Sequence, residues 1–280
     1  MTLAADLVFL DLEDSVAPDQ RSQARQQSIK ALNEHDWGTT IRAVRVNATS
    51  SQWFYDDLIT VVEGAGQNLD VVILPKVNQP GDVYMLDMLL SQIEMKLGIT
   101  HAIAIEAQIE TAQGMAQVEQ IATASRRLVA LIFGPGDFAA SIGAPLLTIG
   151  GHVGEYPGHI WHAALSRMVV AAKAAGLEAI DGPYGMYTDV DGLQASATMA
   201  RMLGCDGKWA IHPSQIEPIN AIFSPTAEEL ARAQQIHDRY HEALHGEARG
   251  AVALGGDLID AASLKMAERV LAKGRAAGKI

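Results

Sequence analysis

The chain has one cysteine, Cys205, in 280 residues. It can form no internal disulfide, and a reducing, cytoplasmic setting is expected, with Cys205 as a packing residue. Positive charge is scarce: 21 Lys and Arg face 33 Asp and Glu, for a net charge of −12. That balance excludes a general nucleic-acid surface, which needs a basic face. The five Phe, six Tyr and four Trp are scattered and form no stacking platform for bases. No apolar run approaches the ~18 residues of a membrane span, and no basic n-region of a signal peptide opens the chain. No G-x-G-x-x-G follows the first candidate strand, which argues against a dinucleotide fold, and no His/Cys set has zinc spacing.

What is present is a globular composition, 49% hydrophobic and 19% charged. Short runs rich in Val and Ile recur at 7–12, 41–47, 71–77, 101–109, 128–134, 177–183 and 208–212. They lack clean alternation, as expected of parallel strands covered on both faces. Helical patterns lie between them, at 53–65, 80–97, 111–124, 159–175 and 189–203, with Gly176 and Gly204 where C-caps belong. The order β-α-β-α implies a parallel sheet with right-handed crossovers. A closed barrel and an open doubly wound sheet are both compatible with it, and seven strand–helix units are one short of a (β/α)8 barrel. Beyond residue 222 the pattern changes. A helix over 225–244 with Thr226 as N-cap, a hairpin around the Gly-Gly pair in 250–260 and a last helix over 261–277 form an extension or lid.

The strand ends carry the chemistry-bearing residues. "LVFLDLEDSV" delivers Glu13 and Asp14, and the next strands deliver Arg45 and Asn47, Lys76, Glu106 and Glu110, Asp137, Asp181 and His212. In an α/β barrel these ends converge on one mouth, where cations can neutralise the acids. Glu110 and Asp137 lie on consecutive units and are the candidate ligands of Mg²⁺, a hard ion that takes one or two carboxylates and keeps several waters. Helix first-turn acids are the alternative role for both. The glycines of "GPGD" allow close backbone approach to an oxyanion. Lys76 can equally be a solvated rim charge. His152, His159 and His162 in the segment 144–162 read as lid or surface residues.

"LDLEDSVAPDQR", "VRVN", "LPKV", "IEAQIETAQG", "FGPGDFAASIG" and "GKWAIHPSQI", in this order, resemble the citrate lyase β-subunit-like family, which includes malyl-CoA and citramalyl-CoA lyases. "GGDLIDAASLKMAE" extends the resemblance into the tail. It implies a (β/α)8 TIM-type barrel, Mg²⁺, a CoA-thioester substrate, a 2-oxo acid product and a homotrimer or homohexamer. Carried over by motif, Glu110 and Asp137 hold the metal and Arg45 grips the substrate. Glu13 and Asp14 hold water around the ion and orient Arg45. Gly136–Asp137 and Ile211–His212 line the acyl-CoA pocket, and Asp260 acts in a neighbouring subunit's site. Asp260 as the N-cap of the last helix, and His212 as a loop cap, are the plainer roles. The family's usual first strand–helix unit, with an "R-S-x-L-F-x-P-G"-like motif, has no counterpart before "LDLED". An open seam with exposed strand edges is therefore expected.

The activity implied is cleavage of malyl-, β-methylmalyl- or citramalyl-CoA to acetyl- or propionyl-CoA and glyoxylate or pyruvate. A malyl-CoA thioesterase and a non-catalytic acyl-CoA-binding subunit are the alternatives.

Overall fold

The computed structural model describes residues 4–144, 149, 160–246 and 250–280. The chain divides into two compact units, Met1–Ile219 and Asn220–Ile280.

In the first unit seven parallel strands lie in sequence order: β1 (Leu7–Asp11), β2 (Ile41–Arg45), β3 (Val71–Leu74), β4 (Ala104–Ile109), β5 (Leu128–Phe133), β6 (Glu178–Asp181) and β7 (Gly207–Lys208). The crossovers carry α1 (Arg21–Glu34), α2 (Phe54–Ala65), α3 (Pro80–Leu97), the short α4 (Ala112–Ala116) and α5 (Val118–Ile121), α6 (Pro135–Ser141), α7 (His162–Ala174) and α8 (Val190–Leu203). Apolar stripes face the sheet from the longer helices other than α1; α3 buries Val83, Leu86, Leu90 and Ile93, one per turn. Gly176 and Gly204 follow α7 and α8 with φ of +76° and +100°, as their cap positions require.

The sheet curls. Ala43, Val71, Ile73 and Ile132 meet in one buried cluster, and Leu7, Phe9, Ala104, Ile180 and Trp209 pack on it. These residues span β1 to β6 and the segment just after β7. Phe9, on one edge strand, packs at a tilt on Trp209 beside the other, with ring centroids 4.5 Å apart. A flat seven-stranded sheet could not bring its two edges together. This is the TIM-type barrel lacking a unit. The open seam is visible at β1: all five of its residues are part-exposed, whereas all four of β3 are buried. Truncating Ile73 to Ala inside this cluster should cost roughly 2–5 kcal/mol by opening a cavity.

α9 (Ile216–Phe223) carries the division between the units. The second unit contains α10 (Ala227–Gly246), a hairpin of β8 (Val252–Leu254) and β9 (Asp257–Ile259), and α11 (Ala261–Ala276). Thr226 caps α10 through a reciprocal pair with Glu229, at 3.1 and 2.8 Å. Gly255 and Gly256 turn the hairpin with φ of +63° and +93°, as a two-residue turn with both φ positive demands. Leu230 and Ala233 of α10 pack on Ala267 and Leu271 of α11.

Candidate active site

Parallel pairing places Asp11 directly opposite Arg45. Both face inward, since Phe9 and Asp11 share one side of a strand of period two. The Arg45 guanidinium donates from Nε and Nη2 to the two oxygens of Asp11, at 2.7 Å each. Nη1 lies 3.1 Å from Glu13 and 3.9 Å from Asp14. The rings of Phe9 and Trp209 flank it at 5.7 and 5.5 Å. Burial opposes the charge on Arg45, yet the bonds from Asp11 hold its pKa above the ordinary range. Asp11 is half-buried, and Arg45 holds it below the usual carboxylate range. The residue that orients Arg45 is thus first of all Asp11, which the motif reading passed over; Glu13 adds a contact and Asp14 stands farther off.

Behind this pair Asn47 ties the strand ends together. Its Nδ2 donates to Leu12 O at 2.8 Å and to Asp57 at 2.5 Å. Asp57 is wholly buried and paired with Arg25 of α1 at 2.7 Å.

Lys76 is not a solvated rim charge. Its ammonium contacts Glu13, lies 3.4 Å from Asp14 and 3.7 Å from Asp137, and only 30% of its side chain is exposed. Its backbone N–H donates to Glu110 Oε1 at 2.8 Å. Its φ is +50°, a left-handed conformation that costs a residue with a Cβ about 1–2 kcal/mol. Burial lowers the ammonium's pKa, but the bond and charge of Glu13 outweigh that and leave it above normal. Glu13 is raised by its own burial, against Lys76 and Arg45.

On β4 and at the residue after it the inward positions are Glu106, Gln108 and Glu110, all buried. Gln108 Nε2 donates to Glu110 Oε2 at 2.6 Å. Burial, joined by the charges of Asp137 and Glu13, pushes Glu110 up to about 8. Burial alone pushes Glu106 to about 7. Gly134, just after β5, leaves room for this carboxylate: a Cβ there would stand 2.3 Å from Glu110 Oε2. The first glycine of "GPGD" therefore serves Glu110, while a Cβ on Gly136 would meet Ile149 at 3.2 Å. Asp137 sits in the first turn of α6 with its side chain 41% exposed. Glu110 precedes the N-cap of α4, Thr111, and caps nothing.

These groups fit a hard cation. Glu110 and Asp137 offer carboxylate oxygens on either side of Lys76, and the buried Gln108 Oε1 accepts no hydrogen bond. Among the described residues no three His, Cys, Asp or Glu side chains form a cluster of ligands. A two-carboxylate site completed by water and substrate is what Mg²⁺ uses.

Around this centre His212 caps a short turn, its Nδ1 accepting from Ser214 N at 3.2 Å, and stacks on Tyr187 at 4.7 Å. Ile211 is exposed, and its N–H donates to Gln215 at 2.9 Å. Asp181 is neutralised by the buried Lys208 at 2.5 Å and is structural. Asp260 lies in the second unit as the N-cap of α11, accepting from Ala262 N and Ser263 N at 3.0 Å. These bonds hold its exposed carboxyl below the usual range. His152 and His159 fall outside the described residues; His162 begins α7.

A curled parallel sheet whose C-terminal rim gathers Asp11, Glu13, Glu110 and Asp137 around Arg45 and Lys76 defines an enzyme of the barrel type, built for an anionic substrate and a cation. The comparisons narrow this. Residues 1–213 match the model of the HpcH/HpaI aldolase/citrate lyase family, and the chain belongs to that family. It is 41% identical to an L-malyl-CoA/β-methylmalyl-CoA lyase of Cereibacter sphaeroides over 96% of this chain and 87% of that one. It is 34% identical to a (3S)-malyl-CoA thioesterase of the same organism, over 98% and 88%. The structure of CitE from Mycobacterium tuberculosis in complex with magnesium, acetoacetate and coenzyme A superposes with a TM-score of 0.77 at 30% identity, covering 97% of this chain and 91% of that one.

Proposed function

We propose that the protein is a Mg²⁺-dependent carbon–carbon lyase that cleaves malyl-CoA or β-methylmalyl-CoA to acetyl- or propionyl-CoA and glyoxylate. The observation that carries this reading is the buried Glu110 beside Asp137, next to an Arg45 already fixed in orientation, in a chain 41% identical to such a lyase.

Glu110 and Asp137 would hold the ion. When bound it supplies positive charge to the oxygens of the reacting carbons. Arg45, locked by Asp11, presents its remaining N–H groups to the substrate carboxylate with a fork that Lys cannot copy. Glu13 and Asp14 order water at the rim, while Gly136, Ile211 and His212 line the path of the acyl-CoA arm. Cleavage removes the proton of the substrate hydroxyl and breaks the adjacent C–C bond. The electron pair stays on the acyl-CoA fragment, whose carbon then takes a proton. Asp260 of a neighbouring copy moves that proton, which requires a homo-oligomer, a trimer or a hexamer. The single buried Cys205 supports a cytoplasmic setting, and among the described residues no helix is long and apolar enough to cross a membrane.

Asn is as good an N-cap as Asp. Asp260→Asn should therefore keep the melting temperature and lose kcat by about 10²-fold or more; unchanged kcat removes the residue from the chemistry.

The thioesterase relative favours a second reading, hydrolysis of malyl-CoA to malate and free CoA. One assay separates the readings. Purified protein, Mg²⁺ and malyl-CoA should yield glyoxylate and acetyl-CoA; free CoA with malate would make it a thioesterase. Stabilisation by Mg²⁺ and acyl-CoA with no product would leave a non-catalytic binding subunit.

A further inference from the structure

Lys76 stands out on three counts. It is the one non-glycine residue with positive φ among those described. Its backbone N–H fixes Glu110, at 2.8 Å. Its ammonium shares Asp137, at 3.7 Å, and also contacts Glu13 and Asp14. The left-handed turn is what permits the combination. It bends the chain just past β3 so that the amide faces β4 while the side chain reaches across to the β1 acids. A strained backbone retained at a site is a pointer to function.

The inference that follows rests on the proposed function, which gives Glu110 and Asp137 to a divalent ion. An ion on Asp137 has the Lys76 ammonium as its neighbour, because both take the same carboxylate. Like charges that close repel. Lys76 cannot withdraw to other partners at no cost, since Glu13 and Asp14 already hold it on that side of the site. Arg45, a further cation beside Glu13, adds to the repulsion. A substrate or product carboxylate is the one added group that brings negative charge to both cations.

We propose that Lys76 is a positioning residue that makes metal capture depend on substrate. Its fixed charge keeps the affinity of the substrate-free site for a divalent ion low, and the carboxylate of the 2-oxo acid restores it. Metal and oxo acid then bind cooperatively, each tightening the other by the same factor.

The test is calorimetric titration of the full chain, stripped by chelator, with Mg²⁺ alone and with Mg²⁺ in saturating glyoxylate. For the wild type, glyoxylate should tighten Mg²⁺ by about 5-fold or more. Lys76→Met should bind Mg²⁺ alone about 10-fold tighter than wild type, and the glyoxylate effect should shrink. Lys76→Arg should behave as wild type. Lys76→Gly, which adopts the positive φ freely, guards against a folding defect and should match Lys76→Met. Equal or weaker Mg²⁺ binding in folded Lys76→Met and Lys76→Gly, or an unchanged glyoxylate effect, overturns the proposal. A wild type that takes up no Mg²⁺ with or without glyoxylate overturns the metal reading itself.

Discussion

Asp11 on β1, and Glu106 and Glu110 on and just after β4, face the barrel interior and live under opposite electrostatics. Asp11 is answered by the guanidinium of Arg45 at 2.7 Å and stays easily ionised. Glu106 and Glu110 are more deeply buried and meet amides and apolar walls; Glu110 receives one backbone N–H and the amide of Gln108, and burial alone raises Glu106 to about 7. A carboxylate is stable inside a protein only with compensation. Asp11 has its compensation within the chain. β4 reserves at least one uncompensated acid, and that is how a fold keeps a place for a cation.

Replacing Glu110 tests the reserved side most severely. Glu110→Gln keeps the shape and still accepts from Lys76 N–H, but removes the charge. Turnover of malyl-CoA should fall by about 10³-fold, measured as glyoxylate formed; a fall under 10-fold would mean that charge on β4 is not what the reaction uses.

A pair of neutral replacements should then separate the two strands by sign. Asp11→Asn leaves Arg45 buried without its partner and should cost about 3–5 kcal/mol in urea unfolding. Glu106→Gln should do the reverse. The folded-state pKa of Glu106, about 7, lies above the unfolded value of 4.5. The folded chain thus binds a proton that the unfolded chain releases, and stability is present below pH 4.5 and lost as pH rises through 7. Glu106→Gln should remove that slope, leaving the variant more stable than wild type at pH 8 by up to about 3 kcal/mol and equal to it near pH 4. Destabilisation by both replacements at pH 8 would erase the contrast.

Arg45→Lys probes the compensated side more gently. The charge remains, but one ammonium cannot serve both oxygens of Asp11 and a substrate carboxylate. A drop of about 10²-fold in kcat/KM is expected, with the melting temperature little changed. Full activity would show that the fork is dispensable.

Much of this was legible in the sequence, and the reasons differ by element. Six of the seven strands announce themselves as unpatterned Val and Ile runs because parallel strands are covered on both faces, whereas the seventh, expected over 208–212, is only Gly207–Lys208. The 80–97 helix could be read to the residue because Pro80 and Gly98 bound it. The Gly255–Gly256 hairpin was equally open to reading. α1 was not: it buries only Arg25, Ser28 and Leu32, so its apolar stripe is too thin to stand out. The expected helix over 111–124 is two short pieces, interrupted at Gln117.

In the site, Glu110, Asp137 and Arg45 could be named from motifs, but their partners could not. Asp11 as the holder of Arg45 follows from strand register, which pairs "LDL" with "VRV"; aligning those runs would have exposed it. The role of Lys76 depends on a backbone angle that no composition reveals. Gln108 and Glu106 share the Glu110 face by period two, a signal available in "AIEAQIE" that only the inward direction of the strand makes meaningful.

The central claim is that Glu110 and Asp137 together hold one divalent ion. Calorimetric titration of Mg²⁺, with glyoxylate present, into wild type, Glu110→Gln and Asp137→Asn tests it most directly. One ion per chain for wild type and none for either variant is the result predicted. Uptake by both variants with wild-type stoichiometry and affinity would contradict it.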